Sequence, residues 1–227
     1  MDRKISIAID GPAGAGKSTM ARRLASEMGY VYVDTGAIYR TVGCYVYRCG
    51  ADPEDAAAVE ALLEQIQVEI TYDETGKQRM ILNHEDVTDL IRTPVMSDYA
   101  SKTSALPCVR SFLLEQQRDL ARRYDVVMDG RDIGTVVLPD ARVKIFLTAS
   151  AEVRAARRLA EFRQKGDTTS TLESVLADMM QRDARDSQRA VAPLTQAADA
   201  VLLDTSLLNI EESVAAMKEI IGKKLEQ

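Results

Sequence analysis

The sequence predicts an α/β fold built on a five-stranded parallel sheet that is flanked by helices. Two observations lead to this prediction: short apolar segments alternate with helical patterns, and a glycine-rich run follows the first apolar segment. Parallel strands covered on both faces are apolar throughout, as these segments are. The predicted strands cover residues 5–9, 30–33, 125–129, 143–147 and 200–203. With 227 residues, of which 46% are hydrophobic, the chain can bury the core of one large domain.

The run Gly11-Pro-Ala-Gly-Ala-Gly-Lys-Ser18 lies between the first predicted strand and a helix predicted over 19–28. In this context the pattern G-x-x-x-x-G-K-[ST] indicates a bound nucleoside triphosphate, because backbone N–H groups converge on phosphate at a helix N-terminus. Lys17 is expected to reach the β- and γ-phosphates, and the Ser18 hydroxyl to ligate a bridging Mg²⁺. The residues predicted to bind the donor here are Gly11, Pro12, Ala13, Gly14, Ala15, Gly16, Lys17, Ser18 and Thr19.

The second predicted strand runs into Asp34-Thr-Gly-Ala-Ile-Tyr-Arg40, which we interpret as the start of a helix. Thr35 can cap this helix, and Arg40 can hold an anion near its positive N-terminus. A capped helix with a surface arginine explains the local pattern equally well.

Residues 52–91 interrupt the alternation of strands and helices. A helix predicted over 56–65 precedes short strands at 68–72, 79–82 and 85–87, arranged around the turn Asp73-Glu-Thr-Gly76. Antiparallel hairpins within such a chain predict an inserted lobe. A long helix then follows from Pro107 to about residue 124, since proline is well tolerated in a first turn.

The third predicted strand ends in Asp129-Gly-Arg-Asp-Ile-Gly134, a loop with two glycines and several charged side chains. The carboxyl ends of parallel strands share one edge of a sheet, where ligands bind. Arg131 and Asp132 are therefore predicted to face a ligand beside the phosphate loop.

Two further arginine clusters lie on predicted helices. Arg182, Asp186 and Arg189 share one helical face at i, i+4 and i+7, although a salt-bridged solvent face is an alternative interpretation. Arg154 and Arg158 are four residues apart, where like charges repel, which makes an anionic partner plausible. The segment 163–169 has the composition of a flexible hinge for a lid.

Composition argues against several other classes of protein. The net charge of −6 and pI near 5.0 disfavour a protein that coats nucleic acid or anionic membranes. No apolar run approaches the roughly 18 to 20 residues that cross a bilayer, so we expect a cytoplasmic protein. Cys44, Cys49 and Cys108 form no C-x-x-C pair and are expected to be reduced thiols, and the lone His84 is left out of the site.

Three motifs resemble those of the bacterial cytidylate kinases, and the resemblance covers essentially the whole chain. They are Asp34-Thr-Gly-Ala-Ile-Tyr-Arg40, Asp129-Gly-Arg-Asp-Ile-Gly-Thr135 and Arg185-Asp-Ser-Gln-Arg-Ala-Val-Ala-Pro193, together with the phosphate loop. The resemblance implies one P-loop NTPase-type kinase domain over 1–227. Its parts would be a core (1–51, 92–153 and 190–227), a monophosphate-binding lobe at about 52–91 and a helical lid at about 154–189.

The resemblance also implies a reaction and a set of partners. ATP, with Mg²⁺, would phosphorylate CMP or dCMP, giving ADP and CDP or dCDP. The protein would be a monomer with small-molecule substrates and with neither a nucleic-acid nor a membrane partner.

The resemblance further assigns roles to residues. Arg40, Arg131 and Arg189 would hold the acceptor α-phosphate; Ser101, Arg110 and Asp132 would read cytosine; Arg182 and Asp186 would contact the sugar; and Thr35 would belong to the same substrate site. Catalysis is assigned to Lys17, Arg131, Arg158 and Arg189, and lid-side phosphate contacts to Arg154 and Arg158. A carboxylate at Asp132 suits the exocyclic amino group of cytosine, whereas uracil would oppose it with a carbonyl oxygen.

Two alternatives stay open at this stage. The first is another small-molecule kinase on the same scaffold, of the uridylate or shikimate type, for which the base-reading set Ser101, Arg110 and Asp132 is the discriminator. The second is a GTP-binding switch. Such proteins usually carry Asn-Lys-x-Asp, which this sequence lacks.

Overall fold

The computed structural model describes residues 4–226 and has the predicted α/β order. Its strands are β1 (Ser6–Asp10), β2 (Val31–Asp34), β3 (Val68–Tyr72), β4 (Gln78–Leu82), β5 (Glu85–Asp86), β6 (Val126–Asp129), β7 (Val143–Thr148) and β8 (Val201–Asp204). Its α-helices are α1 (Lys17–Met28), α2 (Thr35–Arg48), α3 (Ala56–Leu63), α4 (Pro94–Thr103), α5 (Pro107–Arg123), α6 (Ala151–Gln164), α7 (Leu172–Gln188) and α8 (Ile210–Leu225). A 3₁₀ turn at Leu90–Arg92 and a π-helical turn at Ile133–Val137 complete the elements.

The predicted five-stranded parallel sheet is confirmed, with the strand order β2-β6-β1-β7-β8. Each predicted strand is found within one residue of its expected ends. The pairing places Asp34 of β2 opposite Asp129 of β6, and Asp129 opposite Ile9 of β1, which ends one residue later at Asp10. Three neighbouring strands therefore end in aspartate at one edge of the sheet, where ligands gather in this class of fold.

Helices cover both faces of this sheet because alternate residues of each strand point to opposite sides. Ile7 and Ile9 of β1 pack with the apolar sides of α1 and α8, whereas Ala8 joins the core formed with α2 and α5. The helix N-termini and strand ends that carry the motifs are thereby fixed to a rigid core.

An antiparallel sheet of β3, β4 and β5 is inserted between α3 and α4, as the hairpin pattern predicts. Alternate residues Val68, Met80 and Leu82 are buried against the core that contains α2 and α5. Asn83 and His84, both with positive φ, form the two-residue turn between β4 and β5, so His84 has a place in a tight turn.

Helices α6 and α7 form an antiparallel pair with a small core of its own, made by Ala155, Val175 and Met179. The turn between them is densely bonded, unlike the flexible hinge expected there. Arg163 donates to the carbonyl oxygens of Asp167 (2.6 Å) and Ser170 (2.6 Å), while the Asp167 carboxylate accepts from the Ser170 and Thr169 hydroxyls. Hydrogen bonds to its charged form lower the pKa of Asp167.

Across residues 4–226, the helices are all too short or too polar to cross a membrane.

Candidate active site

A cleft of about 520 Å³ opens at the carboxyl edge of the parallel sheet, a volume typical of small-molecule sites. The phosphate loop, the start of α2, helices α4, α5, α6 and α7 and the loop after β6 all contribute to its wall. Eleven basic and seven acidic side chains line it, although the protein as a whole carries a net charge of −6. The cleft is therefore a local site for anions on an acidic protein.

The phosphate loop joins β1 to α1 through backbone conformations that glycine adopts readily. Gly11 has φ 146°, and a Cβ there would stand 1.9 Å from the carbonyl oxygen of Leu147. Gly14 has φ 72°, and a Cβ there would meet the Met179 side chain of α7 at 2.6 Å. These glycines let the loop pass close to β7 on one side and to the α6–α7 pair on the other.

Lys17 is buried in the loop and donates through Nζ to the carbonyl oxygen of Pro12 at 2.7 Å. Burial lowers the pKa of Lys17 well below its ordinary value, and the positive charge of Arg131 lowers it further. The negative charges of Asp129 and Asp10 oppose this shift. A phosphate group in the cleft would supply the missing negative charge.

Asp129 is a buried acidic residue that bonds to the phosphate loop, and it was not assigned to the site from the sequence. Its buried carboxylate accepts hydrogen bonds from the Ser18 hydroxyl (2.9 Å) and the Tyr32 hydroxyl (2.7 Å). Burial raises the pKa of Asp129, and the neighbouring Asp34 adds to this effect. The available signal was its position as the last residue of a strand that enters a glycine-containing loop.

The Ser18 hydroxyl and the Asp129 carboxylate are oxygen donors of the kind that Mg²⁺ prefers. In the part of the chain that the structure describes, no cluster of three or more acidic, histidine or cysteine side chains could hold a metal ion by itself. A donor set this small fits Mg²⁺, which usually keeps water and substrate phosphate among its ligands.

The start of α2 corrects one expectation. The cap is Asp34, whose carboxylate accepts from the backbone N–H of Ala37 at 2.8 Å. Thr35 is the first helical residue, and its hydroxyl donates to the carbonyl oxygen of Asp129 at 2.7 Å instead. Asp34 also accepts from Nη2 of Arg40 at 3.1 Å, which holds that guanidinium beside the cleft.

Asp132 is a buried carboxylate between two arginines. Nη2 of Arg110 donates to Oδ2 in a short contact, and Nη2 of Arg189 donates to Oδ1 at 3.2 Å. Burial raises the pKa of Asp132, although both guanidinium groups oppose this shift. Ser101 lies in the same wall, and Arg110 also stands 5.7 Å from the ring centre of Tyr39.

Asp186 is the corresponding carboxylate on α7. It is buried and accepts from Nε of Arg131 at 3.0 Å, with Nε of Arg182 4.0 Å away. Burial favours a higher pKa, but Arg131 and Arg182 outweigh it and lower the pKa of Asp186. Burial of the Arg182 head group, with Arg131 nearby, lowers the pKa of Arg182 to about 10. The face of α7 that carries Arg182 and Asp186 thus lines the cleft and is not a salt-bridged face turned to solvent.

Arg154 and Arg158 differ from the expected pair of repelling charges. Arg154 is buried and donates from Nη1 to the carbonyl oxygen of Ala13 (2.8 Å) and to Asp183 (2.6 Å). Arg158 lines the cleft, pairs with Glu161 at 2.9 Å and stacks on the ring of Phe162. Each arginine has its own carboxylate, so repulsion on α6 was not a sound reason for an anionic partner.

Most predicted site residues meet in this cleft. As residues 4–226 shape it, the predicted residues outside its lining are Gly11, Pro12, Ala15 and Arg154. These four support the loop: Gly11 allows its close approach to β7, Pro12 accepts from Lys17, Ala15 is buried, and Arg154 bonds to Ala13.

Comparison with known proteins agrees with the phosphate loop and the parallel sheet described above. A family model described as "Cytidylate kinase" matches residues 7–223. The chain belongs to the cytidylate kinase family. The resemblance predicted from the motifs is therefore confirmed.

Curated relatives in this family cover nearly the whole chain. A cytidylate kinase of Carboxydothermus hydrogenoformans is 51% identical over 218 residues, covering 96% of this chain and 97% of the relative. A cytidylate kinase of Lactiplantibacillus plantarum is 49% identical over 220 residues, covering 97% and 96%. A bifunctional pantoate ligase/cytidylate kinase of a Synechococcus strain is 47% identical over 97% of this chain, which corresponds to 45% of that longer relative.

Proposed function

We propose that this protein transfers the γ-phosphoryl group of ATP to CMP and dCMP, giving ADP with CDP or dCDP. The observation that carries the proposal is one cleft in which the phosphate loop faces an arginine-rich pocket around a buried carboxylate. Three buried polar atoms of cleft residues lack a hydrogen-bond partner within residues 4–226: Ser101 Oγ, Arg40 Nε and Arg182 Nε. Buried polar groups are normally paired, so these atoms indicate a polar ligand.

Arg40, Arg131 and Arg189 are proposed to bind the phosphate of the acceptor. They come from α2, the loop after β6 and the end of α7, and all three line the cleft. Guanidinium groups bind phosphate in bidentate fashion, which fixes the direction of its oxygens as well as its charge. Arg182 and Asp186 complete the acceptor side as proposed contacts to the sugar.

Asp132, Arg110 and Ser101 are proposed to recognise the base. A carboxylate accepts from the exocyclic amino group of cytosine, while serine and arginine donate to its ring nitrogen and carbonyl oxygen. Uracil would place a carbonyl oxygen against Asp132, and an unpaired buried polar group costs about 1–3 kcal/mol. This cost predicts at least several-fold preference for cytosine.

The chemistry asks the protein mainly for positioning and for positive charge. The acceptor is already a phosphate oxygen and is ionised at neutral pH, so a strong general base is unnecessary. Lys17, Arg131 and Arg189 can stabilise the charge that spreads over the transferred phosphoryl oxygens in a loose transition state. Ser18 and Asp129 would hold Mg²⁺ with the phosphate oxygens, and this ion would neutralise part of the phosphate charge.

Two parts of the chain are proposed to serve the two substrates. Residues 52–91 would form the monophosphate-binding lobe and 154–189 the lid, attached to a core of 1–51, 92–153 and 190–227. Arg158 is the proposed lid residue that reaches the phosphates, since it lines the cleft. Arg154 is better suited to support the phosphate loop through Ala13.

The test is a coupled assay of ADP release with ATP and Mg²⁺, run separately with CMP, dCMP, UMP, AMP and GMP. We expect turnover with CMP and dCMP at values of kcat/KM at least several-fold above that with UMP. Equal turnover of UMP and CMP would contradict the proposed base recognition. Slow hydrolysis without any acceptor, with tight retention of GTP, would favour a GTP-binding switch instead.

A further inference from the structure

Strand β2 forms one edge of the parallel sheet, and the inserted sheet bonds to its outer side through side chains. The Tyr72 hydroxyl donates to the carbonyl oxygen of Tyr32 at 3.2 Å. Two residues further along β2, the Gln78 amide makes two bonds to Asp34: Oε1 accepts from its backbone N–H at 2.8 Å, and Nε2 donates to its carbonyl oxygen at 3.2 Å. Gln78 thus pairs with the edge strand as a neighbouring peptide unit would.

Glutamine is suited to this position because its amide has a donor and an acceptor side by side. Gln78 is only 6% exposed, and Nε2 also contacts the sulfur of Met80 at 3.1 Å. A buried amide is costly unless it is bonded on both sides, so its placement against Asp34 is specific. A glutamate would place an acceptor oxygen against the carbonyl oxygen of Asp34, which is itself an acceptor, so the bond from Nε2 would be lost.

The residue that Gln78 holds is the one that positions the start of α2. The Asp34 carboxylate caps the helix at Ala37 and accepts from Nη2 of Arg40 at 3.1 Å. A shift of the Asp34 backbone would therefore move the Arg40 guanidinium, which lies in the cleft. The inserted sheet is connected to the acceptor side by this series of bonds.

We propose that Gln78 is a positioning residue that, by fixing the backbone of Asp34, aligns Arg40 for the acceptor phosphate. This inference rests on the proposed function, because it assigns Arg40 to the acceptor. Gln78 acts on the monophosphate side of the cleft and leaves the binding of the donor triphosphate unchanged.

The test begins with Gln78→Met, which keeps the length of the side chain and removes both bonds to Asp34. We expect KM for CMP to rise by on the order of tenfold, while KM for ATP changes less than twofold. Two controls remove other links to the same inserted sheet. They are Tyr72→Phe, which removes the bond to Tyr32, and Gln116→Met, which removes the bond from Gln116 Nε2 to the carbonyl oxygen of Val68 (2.6 Å). Both controls should leave KM for CMP within about twofold of the wild type.

A double-mutant cycle with Arg40→Ala separates positioning from general destabilisation. If Gln78 acts through Arg40, Gln78→Met adds no further increase in KM for CMP once Arg40 is absent. Additive effects, or an equal rise of both KM values, would overturn the inference. Should Gln78→Met fail to fold, Gln78→Asn, which keeps the amide on a shorter side chain, is used in the same cycle.

The outcome is distinguishable from a failure of the proposed function. If the wild-type protein phosphorylates another monophosphate but not CMP, the proposed function is refuted. The cycle is then run with that acceptor, because the bonds from Gln78 to Asp34 and from Asp34 to Arg40 do not depend on the base. Exchange of the Ala37 amide hydrogen gives a readout without turnover: it should be faster in Gln78→Met than in Tyr72→Phe.

Discussion

The two halves of the cleft are built in different ways. The half proposed to bind the donor is centred on one continuous run, from Gly11 to Ser18, which other elements support through Asp129 at Ser18 and Arg154 at Ala13. The half proposed to bind the acceptor takes its charged groups from separate elements, and these groups pair with one another: Arg40 with Asp34, Arg131 with Asp186, and Arg110 and Arg189 with Asp132. The main part of one half is local in sequence, whereas the other half is assembled only by the fold.

This difference has an energetic side. Backbone N–H groups in the donor loop carry no net charge, so their burial needs no counterion. Buried arginines and aspartates must be paired, and removing one partner leaves an uncompensated charge. We therefore expect donor-side changes to act mainly on kcat and acceptor-side changes to act on binding, specificity and pH dependence.

The largest expected effect comes from Lys17→Met in the donor half. Loss of the only ammonium group in the phosphate loop should lower kcat by about 10³-fold, because that charge stabilises the transferred phosphoryl group. Thermal stability should not fall, since burial already disfavours the charged form of Lys17. Steady-state kinetics and thermal melts check both points, and a kcat within tenfold of the wild type would remove Lys17 from the transition state.

Asp10 lies between the two halves, since β1 ends there and its carboxylate accepts from the backbone N–H groups of Ile133 (2.8 Å) and Gly134 (2.7 Å). Burial raises the pKa of Asp10 from 3.8 to about 6, despite these bonds. At 1.36 kcal/mol per pKa unit, the cost of ionising it in the folded state is on the order of 3 kcal/mol.

The direction in which stability changes with pH follows from the linkage between protonation of Asp10 and folding. Between about pH 4 and pH 6 the folded state binds more protons at Asp10 than the unfolded state does. Its contribution to stability is thus greatest at low pH and is lost as the pH rises through about 6. Urea unfolding of wild type and Asp10→Asn from pH 4 to pH 7 isolates this group. The free energy of unfolding of the wild type, relative to the variant, should fall with pH, and a constant or rising difference would contradict the prediction.

Asp132→Asn tests the acceptor half at the base. An asparagine can donate to a carbonyl oxygen, so discrimination by kcat/KM between CMP and UMP should fall by about tenfold or more. KM for ATP should stay near its wild-type value. Competition assays with both monophosphates measure the ratio directly, and an unchanged ratio would place base recognition elsewhere.

Arg158→Ala gives the smallest expected effect, because Arg158 is half-buried and paired with Glu161. We expect kcat to fall several-fold, and by more than KM for CMP rises, if Arg158 reaches the phosphates during transfer. Glu161→Gln is the matched control, since it keeps the guanidinium and removes its partner; its kcat should not fall. A normal kcat in Arg158→Ala would exclude this arginine from the mechanism.

What the sequence predicts well is what is local. The strands of the parallel sheet and the phosphate loop depend on apolar runs and on glycine spacing, which are visible within a few residues. The choice between Asp34 and Thr35 as the cap was not visible, because both side chains cap helices and only the fold offers Thr35 the carbonyl oxygen of Asp129. Local patterns singled out Arg40, Arg131 and the cluster of Arg182, Asp186 and Arg189 separately, and only the resemblance to a family proposed that they bind one acceptor.

The remaining differences come from contacts between distant segments. Spacing on α6 suggested an anionic partner for Arg154 and Arg158, but Arg154 pairs with Asp183, which is 29 residues away on α7. The bonds from Gln78 to Asp34 and from Tyr32 to Asp129 span 44 and 97 residues. Neither Gln78 nor Tyr32 belongs to a recognisable sequence motif. Such pairs depend on tertiary packing, which periodicity does not encode.

The bonded turn between α6 and α7 has a mechanical consequence. With Asp167 holding the turn and Ala155, Val175 and Met179 packed between the helices, the proposed lid is expected to move as one rigid body. Such a movement would need hinges outside the pair, and the two places where the pair joins the core are before Ala151 and around Ala192, whose φ is 50°. A fluorescent label on the exposed Thr168, at the tip, would report the displacement of both helices together.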